Sequence, residues 1–358
     1  MRILEIGPSE TGSFGGMAEV IHEIRTSRYL SKEFKIDSFP SYIDGKLAVR
    51  LFYSAFGYLR FLRCYKQYDL FHIHTAEKGS TFRKNLYLRK IKKEGKKSVI
   101  HIHGAEYLSF YDGLNPHKKK IVDNFFRQAD LVLALSEQWK KELESRLPIM
   151  DCQVLNNGVD TDFFRNAAAD VTKRRNFFLM LGRLGARKGV YDLIDAVELA
   201  IKKNPKLKVY IAGDGEVEKV RALVAKKGLK QHIHVPGWIN RSDKLKYLKS
   251  TATLILPSYH EGLPVAILEG MAAGKAIIST TVGAIPEVVG TENGILVSPG
   301  DTAALAEALL FCSSNTSALE RMSQENMKKA EDRYSIRQMH KQLAEYYRQA
   351  QRSGQASR

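Results

Sequence analysis

Two glutamates, Glu261 and Glu269, stand with seven residues between them in the stretch LPSYHEGLPVAILEGMAAGKAIIS. Pro264 suits a first helical turn and Gly274 a C-terminal cap, so the spacing predicts a short helix over 265–273. Glu261 then lies in the loop before that helix, and Glu269 about a turn and a half inside it. Both carboxylates can face one ligand at the helix N-terminus. Each accepts two hydroxyls at once, so the pair fits a polyhydroxylated ligand, one glutamate on a sugar and the other on a ribose. The loop Gly182-Arg183-Leu184-Gly185-Ala186-Arg187-Lys188-Gly189 supplies the opposite charge. Such a concentration of cations in one strand-to-helix turn is costly unless an anion, such as a diphosphate, neutralises it. A solvated basic turn is the plainer alternative. Near the N-terminus, GPSETGSFGG ends on Gly15 and Gly16, which let a phosphate or sugar approach a helix N-terminus, or simply make a tight turn. The pattern is not GxGxxG, so a dinucleotide site is not supported.

Histidines recur in pairs, His72 with His74, His101 with His103, and His232 with His234. Strand alternation places each pair on one face, but no acidic or cysteine partner stands at a ligand spacing nearby, so no metal is expected. His103 is set apart because it ends a strand and precedes Gly104. GMAAGKA is too short for a phosphate-binding P-loop and has no Ser or Thr after its lysine, which excludes a P-loop kinase or ATPase. Asp160-Thr161-Asp162 imitates a metal-binding DxD motif, yet it follows Asn157-Gly158-Val159 in a linker. Asp160 is expected to cap a short helix at Phe163.

The elements that must position these residues alternate short apolar runs with amphipathic stretches, the pattern of parallel sheets covered by helices. In the first half strands are expected at 3–6, 35–39, 70–74, 98–103, 131–135 and 153–155. The second half restarts with FFLMLGR and continues with strands at 209–212, 233–235, 254–257, 276–279 and 295–297. The helix after FFLMLGR carries Val190, Leu193, Ile194, Val197 and Ile201 on one face and stops at Asn204-Pro205. A polar stretch before Asn176 reads as a linker, giving domains 1–166 and 167–334, with a final helix at about 335–350. Two such Rossmann-like halves imply a cleft, with ligands bound at the carboxyl ends of the strands. The 358 residues, 44% of them hydrophobic and 27% charged, have ordinary globular composition. No run approaches a membrane span, and MRILEIG reads as a buried strand rather than a signal peptide, so a cytoplasmic protein is expected. Cys64, Cys152 and Cys312 form no CxxC pair and are expected to be reduced thiols.

In order along the chain, an early GG, IHIHG, NNGVD, GRLGARKG, IAGDGE and EGLPVAILE resemble the retaining glycosyltransferases of family 4. The resemblance covers nearly the whole chain, and it extends to the glycosyltransferases that build bacterial surface polysaccharides. It implies an α/β GT-B fold, two Rossmann-like domains facing across a cleft, with the donor held by the second and the acceptor by the first. By that similarity Arg183 and Lys188 hold the donor diphosphate and stabilise the leaving nucleotide. Glu269 binds the ribose, and Glu261 the donor sugar, helped by the backbone of Gly262, Leu263 and Pro264. Gly237 and Trp238 match the position that contacts the base. Gly15 and Gly16 face the phosphates, and His103 matches the active-site histidine beside the anomeric carbon. His74 and Glu106 are near enough in sequence to assist on the acceptor side. No cofactor or metal is implied, only a nucleotide-diphosphate sugar as co-substrate. A retaining glycosidase needs two carboxylates about 5 Å apart. No motif places a second carboxylate opposite the sugar, so front-face transfer is expected, with a donor phosphate oxygen taking the acceptor's proton.

The net charge is +17, and residues 46–97 hold 14 basic residues against three acidic ones. A helix over 46–66 is expected to set Lys46, Arg50, Ser54, Gly57 and Arg60 on one face, and Leu47, Leu51, Ala55, Tyr58, Leu59 and Leu62 on the other. With the basic helix that follows, it could dock on an anionic membrane surface, which suits a lipid-linked saccharide acceptor at the cytoplasmic face. An ordinary crossover helix is the plainer reading. A nucleotide-sugar 2-epimerase of the same fold is the rival enzyme. A nucleic-acid-binding module is the rival from another class, and it lacks any base-contacting motif, so no nucleic-acid partner is expected.

Overall fold

The computed structural model describes residues 1–10, 16–43, 46–168 and 170–352. The chain forms two compact units, Met1–Asn157 together with the segment from Ile336 onward, and Gly158–Ser335. The first unit holds a parallel sheet of β1 (Arg2–Pro8), β2 (Lys35–Tyr42), β3 (Leu70–Thr75), β4 (Lys97–Ile102), β5 (Leu131–Ala134) and β6 (Cys152–Val154). Their order is β2-β1-β3-β4-β5-β6. The second holds β7 (Phe177–Leu181), β8 (Lys208–Ala212), β9 (Ile233–Gly237), β10 (Thr253–Leu256), β11 (Ala276–Thr280) and β12 (Gly294–Val297), in the order β12-β11-β10-β7-β8-β9. Each expected apolar run is one of these strands. Their signal was strong because helices cover both faces of a parallel sheet, so its strands read as unbroken apolar runs. Strand order reverses between β1 and β3 in one sheet and between β7 and β10 in the other. Ligands bind at such reversals, outside the carboxyl ends of the strands.

The first unit ends at Asn157, where the sequence placed the boundary at 166. The reason is local packing. Val159 donates its N–H to the Tyr334 carbonyl and bridges to Ser335, and Arg165 pairs with Glu331. Asp160 caps the helix Thr161–Arg165 by accepting from the Phe163 N–H at 3.0 Å, and its other oxygen accepts from Arg241 at 2.6 Å. The DxD look-alike is thus a helix cap. The last helix, Ile336–Arg352, buries Met339, Leu343, Ala344, Tyr347 and Ala350 in the core of the first unit with Ile3, Leu70 and Val99.

The helix Leu47–Cys64 overturns the face expected for it. Gly57 and Phe61 are buried, Arg50 lies over the Tyr42 ring, and Gly57 approaches the Tyr87 hydroxyl. The face that carries Arg50, Ser54 and Gly57 is therefore the inner one. Its helical neighbours Val49, Phe52, Phe56 and Leu59 are left exposed, Phe52 at 75%. The physical reason is that aromatic rings on β2 and the helix Gly79–Lys93 make a better bed for a guanidinium and a glycine than for a leucine ridge. The side chains of Leu47 and Leu51 lie outside the described residues.

Candidate active site

At the β7/β10 reversal the two chemistry-bearing loops of the second unit meet. The chain leaving β7 is tied to the loop after β8: Gly182 donates to the Ala212 carbonyl, Leu184 to that of Asp214, and Glu216 back to that of Leu184. Arg183 then projects, 73% exposed, with its nearest carboxylate on Asp214 at 3.8 Å. A single turn, Ala186–Lys188, follows and ends on Gly189 at φ +67°, in the left-handed region. A Cβ at Gly189 would fall 1.9 Å from the Pro257 carbonyl oxygen, so this glycine is required both by its dihedral and by close approach to the end of β10. That approach is fastened on both sides, because Tyr259 donates its N–H to the Arg187 carbonyl and Arg187 donates to that of His260.

The contact delivers Lys188 to Glu261. Their side chains form a short, largely buried ion pair, and Ser258 adds a hydroxyl bond to the same Glu261 oxygen at 2.6 Å. Val265–Ala272 is a helix, one residue shorter than expected, with Pro264 as its N-cap. Glu269 lies buried inside it and pairs with Lys244 of the helix Arg241–Ser250. Both glutamates of the motif thus carry a lysine. Lys275 of GMAAGKA sits past the C-terminal end of this helix, buried at the entry to β11, where helix geometry offers carbonyls rather than N–H groups to an anion. Burial pushes its ammonium down to about 8. Gly237 ends β9, and Trp238 after it is 62% exposed, two strands from β7. Arg221 fixes that strand end through the Val235 and Pro236 carbonyls.

In the first unit, β1, β3 and β4 bring a second group together. Glu5 stands opposite His72 in the sheet register, and His74 opposite His101. His103 follows β4 directly and donates its N–H to the Thr75 carbonyl at 2.8 Å. Gly104 is held so close to Glu77 that a Cβ there would lie 2.9 Å from the Glu77 backbone nitrogen. His74 Nδ1 is 3.0 Å from His103 Nε2, and His74 Nε2 is 3.2 Å from Glu5 Oε1. The expectation that these histidines lack an acidic neighbour is corrected by Glu5, which sequence distance hid. Ring nitrogens of His72, His74 and His101 come within 4.8 Å of one another, a spacing that could hold an ion. Both His74 nitrogens, and Nδ1 of His72, are however engaged with Glu5, His103 and Tyr347. Burial pushes His72 and His103 down to about 3 and holds His74 and His101 well below the usual imidazole range. The same burial raises Glu5 well above the carboxylate range. His232 bonds the Leu207 carbonyl instead, and its pair takes no part in the cluster.

Glu106 is the N-cap residue of the helix Tyr107–Asp112, where its carbonyl accepts from Phe110. Gly16 opens the helix Gly16–Arg25, and Gly15 lies outside the described residues. Sequence reasoning missed Lys244, Ser258 and Glu5. Only Ser258, three residues before Glu261, left a local signal.

Residues 163–329 match the model of the glycosyl transferases group 1 family, and residues 22–163 that of glycosyltransferase family 4. Among curated proteins the chain is similar to the amylovoran biosynthesis glycosyltransferase AmsK of Erwinia amylovora, 27% identical over 77% of this chain and 69% of that one. It is also similar to the putative teichuronic acid biosynthesis glycosyltransferase TuaC of Bacillus subtilis, 28% identical over 59% of this chain and about half, 54%, of that one. Among solved structures, Anabaena HepE in complex with UDP superposes with a TM-score of 0.78 at 18% identity, over 98% of this chain and all of that one. The lipopolysaccharide outer core galactosyltransferase WaaB superposes with a TM-score of 0.69 at 23% identity, over 97% and 100%. The fold is therefore GT-B, its two Rossmann-like halves being the two units described. Together the two family models take in residues 22–329, and the chain belongs to the family 4 glycosyltransferases.

Proposed function

We propose that this chain transfers a hexosyl or N-acetylhexosaminyl group, with retention, from a nucleotide-diphosphate sugar to a saccharide acceptor carried on a lipid, in building a surface polysaccharide. The observation that carries the reading is the β7/β10 reversal, where Arg183 projects exposed and Lys188 pairs with Glu261, while Glu269 on the following helix pairs with Lys244. A diphosphate recruits Lys188 together with Arg183. As Lys188 turns to the phosphates, Glu261 is released to accept hydroxyls of the donor sugar. Glu269 takes the ribose in the same way, beside Lys244. Charge that develops on the leaving diphosphate meets cations held by the fold, which is electrostatic stabilisation without a metal. The acceptor hydroxyl then attacks on the face the diphosphate leaves, and a phosphate oxygen takes its proton. His103 is the contribution of the first unit. UDP is favoured because HepE holds UDP and UDP-glucose in its complexes. AmsK and TuaC, named for amylovoran and teichuronic acid biosynthesis, support the surface-polymer role.

A place on the inner face of the cell membrane is supported by the helix Leu47–Cys64, whose exposed Val49, Phe52, Phe56 and Leu59 lie among Lys46, Arg60 and Arg63. No helix among the described residues is long and apolar enough to cross a membrane, so contact would be by this apolar stripe and its basic rim.

The test is transfer of labelled sugar from UDP-glucose and UDP-N-acetylglucosamine to lipid-linked saccharides, with and without EDTA, the product anomer read by NMR. The expected product keeps the donor's α configuration, and EDTA leaves the rate unchanged. A β product, or a donor consumed without acceptor to give the 2-epimer, overturns the reading.

A further inference from the structure

In the first unit, Glu5, His74 and His103 form a closed chain of three side chains, of which only His103 is not fully buried. Because each link has one proton to give, the protonation of the last group is decided by the first. We propose that Glu5, acting through His74, fixes the tautomer of His103, with its proton on Nδ1 and its lone pair on Nε2. The inference rests on the reading that His103 takes part in transfer.

A hydrogen count along the chain assigns the direction. The Glu5 carboxyl is fully buried, and burial keeps it protonated, so it has one O–H. Oε1 faces two nitrogens, His74 Nε2 at 3.2 Å and His72 Nδ1 at 3.4 Å, whereas Oε2 is buried with no partner among the described residues. A proton on Oε2 would make an orphaned donor, which is rarer in folded proteins than an under-satisfied carbonyl oxygen, so the proton belongs on Oε1. His72 Nδ1 is the more distant of the two and has a second partner in the buried Tyr347 hydroxyl, 2.8 Å away. The Glu5 O–H therefore goes to His74 Nε2. Neutral His74 then carries its proton on Nδ1 and donates it to His103 Nε2 at 3.0 Å. His103, neutral because of its own burial, keeps its proton on Nδ1. Tyr347 supports the arrangement by giving His72 Nδ1 a partner other than Glu5.

The roles are distinct. His103 is the group that meets substrate under the proposed function, and Glu5, His74 and Tyr347 are positioning residues. The arrangement parallels the general rule that the hydrogen bond at one imidazole nitrogen sets what the other can do.

The test uses the full-length protein labelled with ¹⁵N-histidine, and reads the Nδ1 and Nε2 shifts of His103 beside steady-state kinetics. Wild type is expected to show the Nδ1–H form. Glu5→Gln, whose amide N–H replaces the carboxyl O–H toward His74, is expected to keep that form and most of the activity. Glu5→Met is expected to mix the tautomers and lower kcat about 10- to 100-fold, the usual effect of removing a group that orients a functional imidazole, with KM little changed. Tyr347→Phe frees His72 as a competing acceptor and is expected to act in the same direction by a smaller factor. It also serves if Glu5→Met does not fold. An Nε2–H form in wild type, or unchanged shifts and kcat in Glu5→Met, overturns the proposal. A fully active His103→Ala would overturn the role given to His103 in transfer. The tautomer would still be decided by the shifts alone.

Discussion

The two units handle buried charge in opposite ways. At the second unit's strand ends, two buried glutamates are each paired with a partly buried lysine, Glu261 with Lys188 and Glu269 with Lys244. At those of the first unit, four histidines and a glutamate share one region, and burial keeps them neutral. Buried ion pairs contribute little net stability, since desolvation offsets their attraction, but they leave charges that a charged ligand can recruit. A neutral chain holds no free charge and can set the direction of its hydrogen bonds. On the proposed function, the second unit's recruitable charges suit binding of a charged donor, and the first unit's neutral chain suits orientation of an imidazole.

The comparison is broken most severely at Lys188. Lys188→Ala is expected to lower transfer by roughly 10²- to 10³-fold, the range for removing one group that stabilises developing negative charge, and initial rates at saturating donor check it. Undiminished transfer would remove the second unit's central cation from the mechanism. Next, Glu269→Ala leaves the half-buried Lys244 without its carboxylate, which should cost about 1–3 kcal/mol of stability in urea unfolding. The double change Lys244→Met with Glu269→Leu should restore most of that stability but not nucleotide binding. Recovery of binding would show that the pair is structural alone.

Acid should separate the units. The histidines' folded values lie below their unfolded value of about 6.5, so between about pH 6.5 and 3 the unfolded chain binds more protons, and stability falls as pH falls through that window. Each histidine contributes up to about 1.4 kcal/mol per pH unit there. Glu5, with its folded value raised, acts in the opposite sense, since its contribution is lost as pH rises, but it is one group against four. Trp139 is buried in the first unit and Trp238 lies in the second, so single-tryptophan variants read the two separately. The Trp139 transition should move to lower temperature between pH 7 and 5, and the Trp238 transition should move less. Equal shifts would contradict the contrast. The smallest effect is on the membrane side: Phe52→Ser with Phe56→Ser should leave Tm nearly unchanged, since both rings are exposed, yet reduce sedimentation with vesicles of 30 mol%, roughly, anionic lipid at low salt.

How much of this was legible in the sequence depends on the range of the interaction. The twelve strands and the helix carrying Glu269 were legible, because apolar runs, Pro264 and Gly274 act within a few residues of themselves. Lys188 and Glu261 were each visible as candidates, but their pairing was not, because it depends on Gly189 lying against the Pro257 carbonyl. Glu5 was hidden for the same kind of reason. It reads as a polar residue in a buried strand until register sets β1 beside β3. The face of Leu47–Cys64 was misread because hydrophobicity alone was used to orient it, whereas Arg50 is accommodated by an aromatic ring and Gly57 by its small size.

Under the proposed function, the second unit holds a nucleoside diphosphate on Arg183, Lys188, Glu261 and Glu269. That binding is tested most directly by thermal unfolding with UDP, GDP, ADP and dTDP, each with and without divalent metal, on the wild type and on Arg183→Ala with Lys188→Ala. A nucleotide at 100 times its Kd adds about 2.7 kcal/mol. One diphosphate, UDP first, is expected to raise the wild-type transition without metal, and the double variant is expected to lose the rise. An equal rise in the double variant, or none with any nucleotide, would contradict the proposed function.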